Sequence, residues 1–439
     1  MASTYLTRTP ASAGSRTTWT WSGWIKRSKV DASAVNIFYS AGTASTNDMT
    51  MYFNINDQLE FFNRTSSSVD AYLVTNRRFR DTNAWYHIVF HWDSSNATAG
   101  DRMKIYVNGV EETSFATDTN PSLNLSSQIN NNVQHELGAN STPSGYFDGL
   151  IAHVNFIDGT LYDPSYFGQT DATSGIWKPK LSPSVTYGTN GFFLKFGNAG
   201  SLGTDSSGNG NNFTVANGTP TQTLDTPSNV FATWNPLDKG GGSYTFANGN
   251  TRLYTNGGVN STLAMGQGKY YAEFKMASDG YVTAQVGVGN QDNPITSAYS
   301  GGNSVSLYVG GATLYVDGSS SGSYGSAWTY NDIMQIAVDL DNHNIYFGKN
   351  GSWWSGSAFD SSTPSTAVSI SSSRDNYVFR YVHASANPDS SVEANFGNGY
   401  FGTTAVSTAE SDSAGIGKFE YSVPSGYYAL CTKNIADYG

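Results

Sequence analysis

Carboxylates, imidazoles, guanidinium groups and aromatic rings carry whatever chemistry this chain can do, and their spacing narrows it. Retaining glycoside hydrolysis needs two carboxyl groups ~5 Å apart on one face. Glu111 and Glu112 are adjacent, so on a strand they point to opposite faces and do not pair. His87 and His91 share a strand face but stand ~13 Å apart at the rise of a strand, too far to chelate one ion, so no metal site is expected. Asp339, Asp341 and His343 alternate in a stretch rich in Asp and Asn, and they read as the polar end of a hairpin. No Gly-x-x-x-x-Gly-Lys-Ser/Thr phosphate cradle is present, and no cofactor is expected. Arg77-Arg78-x-Arg80, with Arg64 and Lys26-Arg27, forms a basic cluster. It suits a solvated edge, an inter-subunit contact or an acidic polysaccharide. Trp353-Trp354 places neighbouring rings on opposite strand faces, so one ring is expected near the surface. With Trp328 and Tyr330, and with Tyr324 and Tyr299 in Gly/Ser-rich loops, these rings either cap a sandwich or offer sugars a stacking platform.

The elements that must position these groups are strands. Met51-Tyr52-Phe53-Asn54-Ile55, a turn at Asn56-Asp57, and Gln58-Leu59-Glu60-Phe61-Phe62 read as a hairpin. Trp85-Tyr86-His87-Ile88-Val89-Phe90-His91-Trp92 is apolar or aromatic on both faces, which predicts a central strand covered on both sides. Lys104-Ile105-Tyr106-Val107 ends at Asn108-Gly109, a strong hairpin signal. No amphipathic helix of three turns is found. The expected fold is all-β: two antiparallel β-sandwiches, a jelly roll over 1–196 and a second sandwich with a C-terminal tail over 228–439. A Gly/Asn/Ser-rich connector at 197–227 is expected between them.

Composition agrees with that reading. Of 439 residues, 23 are basic and 34 acidic, for a net charge of −11, and 13% are charged against 14% aromatic. Disordered chains are poorer in aromatics and richer in charge, coiled coils are richer in Ala, Glu, Lys and Leu, and nucleic-acid binders are usually basic. Cys431 is the only cysteine, so no intramolecular disulfide can form. The N-terminal residues carry no apolar run and no stretch approaches the ~18 apolar residues of a spanning helix. The chain either folds in a reducing cytosol or is large enough to need no disulfide, and no membrane insertion is expected.

Three resemblances sharpen it. Trp19-x-Trp21-x-x-Trp24-Ile25-Lys26, Trp85-Tyr86-His87-Ile88-Val89, Lys104-Ile105-Tyr106-Val107-Asn108-Gly109 and Tyr146-Phe147-Asp148-Gly149-Leu150-Ile151-Ala152-His153-Val154 follow in an order that resembles the laminin-G/concanavalin-A-like lectin family. Gly268-Lys269-Tyr270-Tyr271-Ala272-Glu273-Phe274, Gln285-Val286-Gly287-Val288-Gly289 and the stretch 339–351 resemble the SPRY family over about 228–405. Phe156-Ile157-Asp158-Gly159-Thr160-Leu161-Tyr162-Asp163-Pro164, the loop Asp205-Ser206-Ser207-Gly208-Asn209-Gly210-Asn211-Asn212 and the end Pro424-Ser425-Gly426-Tyr427-Tyr428-Ala429-Leu430-Cys431 resemble virion proteins of marine tailed bacteriophages. The lectin resemblance implies a jelly roll and makes Asp48, Asp148 and Asp205 conceivable calcium ligands. It also raises a hydrolase, but the Glu-x-Asp-x-x-Glu or Glu-x-Asp-x-Glu signature of the related glucanases is absent.

Together the resemblances imply a non-catalytic fibre, decoration or adhesin subunit on the virion surface. Its expected partners are neighbouring virion proteins, further copies of itself in a trimer, and host-surface polysaccharide. Glycan contacts are expected at Trp353, Trp354, Trp328 and Tyr330, and interface or acidic-glycan contacts at Arg77, Arg78 and Arg80. No nucleic acid is expected. A polysaccharide-degrading enzyme on the same scaffold and a SPRY-type peptide-binding adaptor are the alternatives.

Overall fold

The structure is a computed structural model that describes residues 3–30, 35–277, 284–293, 295, 303–372, 376–383 and 391–439. It divides into two units, Met1–Gln222 and Thr223–Gly439. Both are built from sheets of antiparallel pairs, as expected, apart from a short parallel pairing of Tyr428–Ala429 with Lys269–Met276, and the single α-helix among the described residues is Thr432–Tyr438. No described helix is long and apolar enough to cross a membrane.

In the first unit the strands are β1 (Tyr5–Arg8), β2 (Thr18–Arg27), β3 (Asn36–Ala44), β4 (Asn47–Phe53), β5 (Gln58–Thr65), β6 (Ser68–Arg78), β7 (Trp85–Asp93), β8 (Met103–Val107), β9 (Val110–Glu111), β10 (Phe115–Thr119), β11 (Gln134–Leu137), β12 (Gly149–Asp158), β13 (Gly168–Thr170), β14 (Trp177–Pro179), β15 (Phe192–Leu194) and β16 (Thr214–Asn217). One sheet has the order β10-β6-β5-β4-β3-β11-β1-β16 and the other β15-β12-β2-β7-β8-β9. The side-chain period of two sends Trp19, Trp21 and Ile25 of β2, and Tyr86, Ile88, Phe90 and Trp92 of β7, into the shared core. Trp19 stacks on Trp92 with centroids 6.2 Å apart. Gly23 takes the inward position beneath Trp21, where a Cβ would lie 2.5 Å from the indole ring.

The opposite face of β7 is covered too. His87 packs between Trp24, at 4.8 Å, and Trp177, at 6.0 Å, while Val89 joins Ile157 and Phe167 in a small outer cluster. The strand is therefore buried on both sides, as its sequence predicts. The stretch read as a connector is structural over most of its length. Phe213 enters the first core, β16 pairs with β1, and Asp205 accepts the N–H of Phe193 and of Asn211 at 2.8 and 2.9 Å.

The second unit pairs a seven-stranded sheet with a ten-stranded one. The first runs Trp234–Lys239, Gly258–Ser261, Tyr377–His383, Ala284–Asn290, Ser304–Tyr308, Thr313–Val316, Ser319–Ser323. The main path of the other runs Tyr244–Ala247, Arg252–Thr255, Ser391–Asn395, Lys269–Met276, Ile333–Asp339, Asn344–Lys349, Ser352–Trp354, Phe359–Ser361. The stretch 339–351 forms the hairpin read from it, with Asp339 opposite Asn344. The C-terminal segment lies on the ten-stranded sheet: Phe419, Tyr427, Ala429 and Cys431 pack over Tyr271, Ala337 and Trp353. It is fixed by Glu273, whose carboxylate accepts the N–H groups of Glu420 and Tyr421, both at 2.9 Å. The unit closes on itself: Phe231 bridges to Cys431 and the Val230 N–H donates to Thr432 Oγ1 at 3.0 Å.

Candidate functional site

Alternation in β4, β5 and β6 decides what the eight-stranded sheet shows away from its core. Met49, Met51, Phe53, Leu59, Phe61, Ala71 and Leu73 point into the sandwich. Thr50, Tyr52, Glu60, Phe62, Arg64 and Tyr72 therefore point out. Register places Tyr52 opposite Glu60 and Phe62 opposite both Thr50 and Tyr72. The rings of Tyr52, Phe62 and Tyr72 form a row, Phe62 standing edge-on to Tyr52 at 6.0 Å and to Tyr72 at 6.3 Å. All three are half-buried, each keeping part of its surface exposed.

Polar groups are fixed beside the rings. Glu60 accepts the hydroxyl of Tyr72 at 2.8 Å and also those of Tyr52 and the amide of Asn54. Burial and the neighbouring Glu60 push the Tyr72 hydroxyl up to about 12 and the Tyr52 hydroxyl higher still, so both remain donors. Asp48 holds Arg64 through two bonds of 2.8 and 3.0 Å, and the guanidinium lies 5.2 Å above the Phe62 ring. The result is a set of ring faces flanked by oriented donors and acceptors, an arrangement suited to the C–H faces and hydroxyls of sugars.

A second glutamate occupies the same outward face. Glu136 is opposite Ser40, and Ser40 opposite Thr50, which puts Glu136 and Glu60 three strand spacings and two residues apart. Their Cα atoms are thus about 16 Å apart. Glu136 takes Ser40 Oγ at 3.1 Å and Gln134 Nε2 at 2.9 Å, and burial raises its carboxyl to about 8.

The residues singled out from sequence fall elsewhere. Trp353, Trp354 and Trp328 are buried, at 2%, 7% and 1% exposure. Trp353 and Trp354 do point opposite ways, one into each cluster, but the C-terminal segment covers the face that would have been open. Trp328 sits 5.1 Å from Phe359. None of these three offers a stacking face. Tyr330 is 49% exposed, yet no other aromatic ring stacks with it among the described residues. Tyr324 is buried against Trp354 at 4.6 Å, and Tyr299 lies outside the described residues.

Arg77 and Arg78 are exposed at the end of β6, Arg77 lying over the Phe79 ring at 5.2 Å. Arg80 is committed to Asp57 at 2.9 Å, on the carboxylate that also holds buried Arg27 at 2.9 Å. The three aspartates named as calcium ligands do not converge: Asp48 serves Arg64, Asp205 serves its own loop, and Asp148 is desolvated, its carboxyl pushed up by burial. Among the described residues no three His, Cys, Asp or Glu side chains gather as a metal site. One Glu-x-Asp pair, Glu410-Ser411-Asp412, escaped the sequence reading. Asp412 is wholly structural, accepting the N–H groups of Ile416, Gly417 and Ala429 and the amide of Asn434.

The row Tyr52, Phe62, Tyr72 was missed because its members are ten residues apart in sequence on three strands. Its signal was available in the hairpin: within Met51-Tyr52-Phe53 and Phe61-Phe62, alternation leaves one aromatic facing away from the core.

Comparison with known proteins places this sheet in context. Residues 2–164 match the family described as the Concanavalin A-like lectin/glucanases superfamily. No curated protein matches the chain. Among solved structures, it is similar to the SPRY domain of human HERC1, with 17% identity over 37% of this chain and 96% of that one, at a TM-score of 0.31. It is similar to a native heptameric SAP-like pentraxin from Limulus polyphemus, at 15% identity, 36% and 71% coverage and a TM-score of 0.27. A human SPRY domain is matched at 17% identity, 35% and 96% coverage and a TM-score of 0.26.

Proposed function

We propose that this chain is a non-catalytic glycan-binding protein of a virion surface, and that the outward face of its eight-stranded sheet is the binding platform. The row Tyr52, Phe62 and Tyr72, flanked by Glu60, Asn54 and Arg64, carries the reading. Rings bind sugar faces by dispersion and C–H contact, and the fixed carboxylate and guanidinium give direction to hydroxyls. The family match over 2–164 supports a lectin-type surface. The non-catalytic reading rests on the absence of the Glu-x-Asp-x-x-Glu and Glu-x-Asp-x-Glu signatures. The virion setting, host-surface polysaccharide as ligand, neighbouring virion proteins as partners and a homotrimeric assembly rest on the resemblance to phage virion proteins.

A glycan array of the full-length protein tests the platform. Binding should fall roughly 3- to 10-fold for each of Phe62→Ala and Tyr72→Ala, and an unchanged profile in both refutes it. Reducing-sugar release from any bound polysaccharide would overturn the non-catalytic assignment. Light scattering after size exclusion tests the trimer, and a monomer at micromolar concentration refutes it.

A further inference from the structure

The six-stranded sheet of the first unit wears a separate cover. β13 and β14 pair with each other and with no other strand. Their base is pinned: Phe167 packs with Val89 and Ile157, and the Lys180 N–H closes the hairpin onto the Phe167 carbonyl at 2.8 Å. Their tip, residues 172–176, is exposed and is held by its own bonds. Asp171 accepts the Ser174 N–H and Oγ, both at 2.8 Å, and pairs with Lys178 at 3.2 Å. Among the described residues, one hydrogen bond joins residues 168–179 to the sheet beneath: the Trp177 indole N–H donates to His87 Nδ1 at 3.0 Å. The ring reaches His87 because two positions carry no side chain. A Cβ would stand 2.5 Å from the indole at Gly168 and 3.0 Å from it at Gly109.

That bond fixes the state of the imidazole. An indole N–H only donates, so His87 Nδ1 carries a lone pair and the ring is neutral with its proton on Nε2. Nε2 then donates to Ser22 Oγ at 2.9 Å. A protonated imidazole donates from both nitrogens and would set its Nδ1–H against the indole N–H. Docking of Trp177 and protonation of His87 therefore exclude each other.

The closed site gives a proton no compensation. His87 is 0% exposed, with Trp24 on one side and Trp177 on the other. The charged and titratable groups around it are cationic or already paired. His153 on β12 opposes its charge. Lys26, two residues beyond Trp24 on β2, bonds Asn83, and Lys178, beside Trp177, holds Asp171. On the β8 side the neighbour is neutral Asn108, whose Oδ1 accepts the His87 backbone N–H at 2.8 Å. Burial holds the imidazole down to about 3, against ~6.5 in water.

We propose that the 168–179 hairpin is an acid-released flap, latched by Trp177 on His87, that swings from its Phe167 base and uncovers His87 when that histidine takes a proton. Between ~6.5 and about 3, each unit fall in pH multiplies the ratio of open to latched flap by up to ~10. Nitrogen NMR of the full-length protein with isotope-labelled histidine and tryptophan tests it, with His87→Gln and Trp177→Phe assigning the two signals. At pH 7.5 His87 should be neutral with its proton on Nε2. On acidification to pH 4, His87 should titrate, and the Trp177 indole should move to a solvent-exposed position with the same midpoint. The Trp19 indole, bonded to Ser127 Oγ in the core, should stay in place. In His87→Gln, whose amide oxygen accepts the indole N–H without titrating, the Trp177 signal should hold to pH 4. Trp177→Phe removes the latch and should raise the His87 midpoint by about 0.5–1 in pH, the worth of one hydrogen bond; it gives a second reading if His87→Gln does not fold. A proton on Nδ1 at pH 7.5, a His87 that stays neutral to pH 4, or a Trp177 signal that does not follow His87 overturns the proposal. So does movement of Trp19 in step with Trp177, the same Trp177 movement in His87→Gln, or an unchanged His87 midpoint in Trp177→Phe.

Discussion

Replacing Glu273 with glutamine should release the C-terminal segment of the second unit. The carboxylate is wholly buried and serves four donors. Tyr271 Oη and the Tyr421 N–H reach Oε1, both at 2.9 Å, and the Glu420 N–H and Asn395 Nδ2 reach Oε2 at 2.9 and 3.3 Å. Glutamine keeps one acceptor oxygen and sets an NH₂ group against the other two donors. Each buried donor left unsatisfied costs ~1–3 kcal/mol, so the pair should cost about 4 kcal/mol. In a unit of this size ~1 kcal/mol moves Tm by ~2–4 °C, which gives a fall of about 8–16 °C for its transition. Calorimetry measures that fall. Hydrogen exchange should show the amides of Glu420 and Tyr421 losing protection before the strands beneath them. A Tm within about 2 °C of wild type, or protection unchanged at those two amides, would refute the view that Glu273 is the clasp.

Other outcomes follow from the same geometry. Burial holds the carboxyl of Glu273 up to about 7, above its unfolded value of ~4.3. The folded state then binds more protons between those values, so this group's contribution is full below ~4.3 and is lost as pH rises toward 7; urea midpoints at pH 5 and 7 should reveal it, and the slope should flatten in Glu273→Gln. His87, His135 and His153 are held down to about 3, 4 and 4 by burial. Their contribution is present above the unfolded ~6.5 and lost as pH falls through that window, so the first unit should weaken between pH 6.5 and 4; His87→Gln should remove part of the loss. Asp57→Asn strips the carboxylate from Arg27, whose side chain is 0% exposed, and should cost ~3–5 kcal/mol in chemical denaturation. Gly23→Ala drives a methyl into Trp21 and should cost ~1–3 kcal/mol as overpacking, with altered near-ultraviolet dichroism reporting the displaced indole.

Much of the architecture could be read from local pattern. β7 announces its own burial because both residue sets of its alternation are apolar or aromatic, and the structure covers each with a different layer. The hairpins at 51–62 and 339–351 carry turn residues between matched strands. What local pattern lacks is the partner from far along the chain. Trp353 lies beneath Phe419 and Tyr427, a cover that arrives more than sixty residues later and turns a candidate surface ring into core. Phe213 fails as linker for the same reason: in sequence it sits among Gly and Asn, but in space it meets Phe192 at 4.8 Å. The aromatic row had the opposite problem. Each ring looked like one more strand aromatic, and only the cross-strand register of β4, β5 and β6 brings three outward positions into line.

The bridge between Phe231 and Cys431 brings the entry and exit of the second unit side by side. Such a body is topologically a near-ring, in which chain order matters less than contact order. A short Gly/Ser tether from 439 to 223, with new termini cut in the exposed turn at 362–363, should yield a permuted domain that folds alone. It would also let the unit be spliced into a surface loop of an unrelated host without stretching either partner.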